Sequence, residues 1–135
     1  MSLNKLVSGL LSGVVSIMLI THAMVAETGS QISNNGSFNV TVLKDLEPEP
    51  LREFVEFKIL VIDVNGKPIS DADISLSGGM PAHGHGLPTK PIITAIGNGE
   101  YLIEGLKFSM MGTWELNFEI KSKEVSDTAK FTIVK

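Results

Sequence analysis

From Ser37 onward, apolar side chains recur at alternate positions and are interrupted about every ten residues by Gly, Pro, Asn or Asp. The pattern is clearest in TWELNFEIK, where Trp114, Leu116, Phe118 and Ile120 share one face while Glu115, Asn117, Glu119 and Lys121 share the other. A period of two with one apolar side describes a strand laid on a core with its back in water. Read this way, the chain predicts seven strands, over residues 38–44, 53–63, 71–77, 91–96, 100–105, 113–121 and 126–134. Their inward residues are Phe38, Val40 and Val42; Val55, Phe57, Ile59 and Val61; Ala72, Ile74 and Leu76; Tyr101 and Ile103; the Trp114 set; and Ala129, Phe131 and Ile133. Seven short antiparallel strands in a segment of this size predict an all-β fold, an immunoglobulin-like antiparallel β-sandwich.

The segment before the strands follows a different rule. Lys5 is followed by a mostly apolar run from Leu6 to Ile20 and then by small residues, the three-part pattern of a secretory signal peptide. Cleavage after Ala23 places Thr21 and Ala23 at the small-residue positions and is preferred to cleavage after Ala26. Ser8, Gly9, Ser12, Gly13 and Ser16 interrupt the run, which falls short of the roughly 20 apolar residues of a membrane span, but an uncleaved anchor stays open as the alternative. The layout expected is a signal peptide or anchor over 1–26, a flexible linker over 27–36 and one sandwich domain over 37–135. Its location is then periplasmic or extracellular, with the membrane reached only through an uncleaved N-terminus.

Composition narrows the partners. The chain has no cysteine, so an exported domain of this sequence folds without disulfides. Its formal net charge of −4 becomes one unit more negative without Lys5, and Lys and Arg form no cluster. Nucleic acid is therefore an unsuitable partner, because neutralising phosphates requires clustered positive charge.

Three connections are short and made of turn-forming residues: NGKP, GNG and SKE. The other three are longer: KDLEPEPLRE, GGMPAHGHGLPTK and LKFSMMG. Each antiparallel strand reverses the chain, so the long connections belong at one end of the sandwich and the short ones at the other. That brings Met80, His83 and His85 to the same end as Met110, Met111 and the acidic Glu47–Pro48–Glu49 segment. In an extended segment, His83 and His85 point the same way and offer two imidazoles to one ion. Imidazole suits several transition metals, while a thioether favours Cu(I). The candidate metal ligands are thus His83, His85, Met80, Met110 and Met111, and the metal expected is copper.

Plainer roles compete for the same residues. Met80 before Pro81 reads equally as an apolar plug, one of Met110 and Met111 as core filler, and H-x-H as a solvated loop. Trp114 reads as core. No G-x-S-x-G turn, H-E-x-x-H helix or phosphate-cradling loop is present, and the expectation is that the protein is not an enzyme.

GKPISDADISLSGGMPAHGHG, GNGEYLIEGLKFSMMGTWELNFEI and DTAKFTIVK together resemble the YtkA-like family of small exported β-sandwich domains, related to FixH-type proteins. The resemblance implies an immunoglobulin-like fold, export, and a link to copper supply or oxidase assembly. It marks Met80, His83 and His85 as the characteristic loop with Met110 or Met111 near it. The function it implies is an exported copper-binding chaperone, buffer or accessory factor, with a membrane copper enzyme or its assembly factor as partner. NGKPISDADISL is also similar to carboxypeptidase-regulatory-like and transthyretin-like modules, which implies instead a metal-free interaction module of a cell-envelope assembly.

Overall fold

The computed structural model describes residues 29–135. The signal-peptide or anchor segment and His22 lie outside the described residues. Nine strands run in chain order: β1 (Gly29–Ile32), β2 (Phe38–Val42), β3 (Phe54–Asp63), β4 (Asp73–Met80), β5 (His85–Gly86), β6 (Ile92–Gly97), β7 (Glu100–Lys107), β8 (Thr113–Ser122) and β9 (Val125–Val134). They form two antiparallel sheets, β1-β2-β3-β7-β6 and β5-β4-β8-β9. Without β1 and β5, this is the four-plus-three strand order of an immunoglobulin constant-type sandwich.

All seven expected strands are present, and the even-odd phase holds almost throughout. Val40, Val42, Ile59, Val61, Ile103, Leu116, Phe118, Ile120, Ala129 and Ile133 are fully buried between the sheets. The β4 set is the exception, because Ile74 and Leu76 pack against the core but are only half-buried. They line an open cleft at the sandwich side, opposite Ile93 of β6.

β1 and the turn after it occupy the stretch that composition assigns to a linker. Asp127 holds that turn from the other sheet. Its carboxylate accepts from the Ser33 hydroxyl at 2.6 Å, the Asn35 amide N–H at 2.9 Å, the Ser37 N–H at 3.2 Å and the Thr128 N–H at 2.8 Å. Burial alone raises a carboxyl pKa, but the Ser33 hydroxyl and the backbone N–H groups of Thr128, Ser37 and Asn35 outweigh it and bring Asp127 down to about 2. On the crossover from β3 to β4, the Tyr101 hydroxyl donates to the Ile69 carbonyl and accepts from the Ala72 N–H.

The ends sort as the strand count requires. The 43–53, 81–91 and 108–112 connections share one end, tied by Arg52 N–H donating to the Phe108 carbonyl and by paired bonds between Gly112 and Lys135. The Lys135 ammonium donates to the carbonyls of Leu46, Glu47 and Glu49 and sits 5.0 Å from the Phe108 ring centroid. It fixes the acidic segment against the C-terminal end of β9 and Phe108. Burial of this ammonium outweighs the attraction of Glu49, Asp45 and Glu47 and lowers its pKa.

Candidate metal centre

The His-containing loop is a tight hairpin. β4 runs on to Met80, three residues past its expected end, and β5 returns beside it with Gly79 opposite Gly86 and Met80 opposite His85. Between them Pro81–His83 makes one 3₁₀ turn, closed by Gly84 N–H donating to the Pro81 carbonyl at 3.2 Å. Gly84 takes the left-handed conformation, φ 64°, that ends such a turn and favours glycine. Gly79 is required for another reason. A Cβ there would sit 2.0 Å from the His85 carbonyl oxygen, so only a bare backbone lets β5 approach.

This geometry corrects the reason for expecting the histidines to converge. His83 ends a 3₁₀ turn and His85 begins a strand, so the pair does not lie on one extended segment. The turn nevertheless brings the rings together: their centroids are 5.9 Å apart and their planes 26° from parallel. Both side chains are exposed. With metal–nitrogen bonds of about 2.1 Å, two imidazoles on one ion have centroids no more than about 6.5 Å apart. The observed separation fits within that reach.

The methionines divide differently from expectation. Met80 is 1% exposed and belongs to the core. A Cβ placed on Gly112 would come within 2.6 Å of its terminal methyl, which shows how tightly the 108–112 connection packs on it. Met80 is therefore the plug, and its sulfur is closed to solvent. Met110 and Met111 are 37% and 68% exposed, so neither fills the core; Phe108, in edge contact with Trp114, does. Trp114 is buried and donates its indole N–H to the Met110 carbonyl at 3.1 Å, fixing the backbone that presents the two thioethers. Among the described residues, no group of three or more His, Cys, Asp or Glu side chains is placed to hold a metal.

Glycine also shapes the outer side of the hairpin. Gly78, Gly79, Gly84 and Gly86 line a shallow groove with His85, Glu115 and Asn117. Glu115 is held there by Lys130 at 3.2 Å. Reading by residue type alone passed over Glu115 because it is one of several outward charges on β8, and only the strand pairing sets it beside β5.

No curated protein and no solved structure matches the chain. The family model described as YtkA-like matches residues 30–119, well over half the chain and inclusive of the His hairpin and the Met110–Trp114 segment. The protein belongs to the YtkA-like family.

Proposed function

We propose that this domain is an exported copper-binding protein that carries or buffers copper at His83 and His85 and passes it to a partner such as a membrane copper enzyme or its assembly factor. The observation that carries the reading is the pair of exposed imidazoles, 5.9 Å apart on a turn whose shape glycine fixes. Copper is cargo here. The two imidazoles supply nitrogen donors, and the exposed thioethers of Met110 and Met111, at the same end, supply the soft donors that favour Cu(I). Met80 serves as the apolar floor under His85. A ligand set on the surface leaves room for an incoming donor from the partner, which transfer requires. Acid releases the metal, since a protonated imidazole has no lone pair to give.

The test is a Cu(I) titration against a competing chelator, with Trp114 as an optical reporter, since it is the chain's single tryptophan and lies in the core beneath the site. The wild type is expected to hold one Cu(I) with submicromolar affinity, and His83→Ala with His85→Ala together to weaken it at least about a hundredfold. Binding weaker than micromolar, or unchanged in the double variant, refutes the reading.

A further inference from the structure

We infer that Met110 and Met111 form a site of reversible oxidation by peroxide, at which the thioethers become sulfoxides while the fold stays intact. Three observations lead there. The first is a division among the methionines of the described residues. Met110 and Met111 are 37% and 68% exposed, whereas Met80 is 1% exposed. Peroxide meets the first two in solvent and reaches Met80 only when this end of the sandwich opens.

The second is that the exposure is built into the main chain. The Met110 carbonyl accepts from the Trp114 indole N–H at 3.1 Å, and Gly112 exchanges a pair of main-chain hydrogen bonds with Lys135, each 2.9 Å. Gly112 has φ 131°, a conformation that favours glycine, so the bend presenting the two thioethers depends on it. Between these anchors the core at this end is already filled by Met80, Phe108 and Trp114, all buried, with the Met80 methyl lying against Gly112. The two side chains therefore stay in solvent.

The third is what oxidation does at each place. Hydrogen peroxide passes one oxygen atom to the thioether and leaves as water: the S–O bond forms, the O–O bond breaks, sulfur gives up two electrons and the peroxide oxygen takes them. At Met80 the new S–O dipole would be buried without a donor, which costs stability. At Met110 and Met111 water solvates it, and the core below is unchanged. A sulfoxide also offers a hard oxygen where the thioether offered a soft sulfur. On the proposed copper reading, on which this consequence rests, oxidation of the pair lowers the affinity for Cu(I), and reduction of the sulfoxides restores it.

A time course of the full chain in hydrogen peroxide, free of metal and at neutral pH, read by peptide mass spectrometry, tests the proposal. Met110 and Met111 lie together in the tryptic peptide 108–121, and Met80 lies in another. The pair should gain oxygen at least about tenfold faster than Met80. The urea midpoint, followed by Trp114 fluorescence, should not move while only the pair is oxidised. Methionine sulfoxide reductases for the two epimers, added together, should remove the oxygen again. In the Cu(I) competition assay the oxidised protein should bind at least about tenfold more weakly than the untreated one, and Met110→Leu with Met111→Leu should lose nothing further on peroxide treatment. Met80 oxidising as fast as the pair overturns the proposal, as does unfolding when only the pair is oxidised. Unchanged Cu(I) affinity after full oxidation of the pair overturns its link to copper. A failed copper titration of the untreated protein refutes the copper reading instead and leaves the oxidation site standing on the mass spectra.

Discussion

Asp127→Asn is the perturbation whose size the structure sets most directly. The carboxylate is 4% exposed and accepts from Ser33, Asn35, Ser37 and Thr128, clasping the β1–β2 turn of one sheet to β9 of the other. Its pKa falls from the ordinary 3.8 to about 2 in the folded state. That difference corresponds to about 2 kcal/mol of stability from ionisation alone. Since the folded pKa is the lower one, this contribution is complete above pH 4 to 5 and disappears as pH falls through about 2. Asn keeps the shape but removes the charge and turns an N–H₂ toward N–H donors, adding a further cost of about 1 kcal/mol or more. Urea denaturation followed by Trp114 fluorescence, for wild type and variant at pH 7, 4, 3 and 2, measures the effect. The stability gap should be at least about 2 kcal/mol at pH 7, narrower by about 1 at pH 3, and narrower by about 2 at pH 2. Comparing the two proteins at each pH cancels the other carboxylates. A gap that does not change between pH 7 and pH 2 would refute the assignment of Asp127 as an ionised clasp.

Other outcomes follow from single contacts. Gly79→Ala drives a Cβ to 2.0 Å from the His85 carbonyl, so it should part β5 from β4, cost more than about 2 kcal/mol in urea denaturation and weaken Cu(I) binding through the hairpin. Lys135→Met leaves the carbonyls of Leu46, Glu47 and Glu49 without their shared ammonium donor; a loss of about 1–3 kcal/mol and faster amide exchange across 45–52 are expected, and unchanged exchange there would contradict the clamp. Met80→Leu preserves volume in the core and should cost less than about 1.5 kcal/mol while leaving Cu(I) affinity unchanged, whereas Met110→Leu with Met111→Leu should lower that affinity in the same competition assay.

The seven long strands were legible because each buries one face, and alternation is the direct trace of that burial. Trp114 through Ile120 shows it without interruption, and all four apolar members are buried. What stayed hidden has physical causes. β1, Gly-Ser-Gln-Ile, buries almost nothing and is held by hydrogen bonds to β2 and by the Asp127 clasp, neither of which leaves a periodic signal. The extension of β4 to Met80 was hidden by Gly78 and Gly79, which resemble a loop in composition but pair with Leu116 and Glu115. Their φ values of 147° and 145° are open to glycine and closed to most other residues, so the feature that suggested a break is what lets the strand continue. The outer face of β6 was masked differently: Ile92, Ile93 and Ile96 give no alternation, because the strand has apolar residues on both sides.

Following β4 through those glycines decides the role of the first candidate ligand. Ile74, Leu76, Gly78 and Met80 share one phase, and that phase faces the core, so the strand that reaches the His loop carries Met80 inward with it. A loop reading treats Met80, His83 and His85 as three equivalent donors on a mobile segment. The hairpin separates them: Met80 anchors β4 against Gly112, while the turn beyond it holds both imidazoles in solvent. Main-chain constraints at Gly79 and Gly84 set the path of the turn that carries the two histidines. On the proposed copper reading, affinity should depend more on the two glycines, which pre-form the turn, than on the buried thioether.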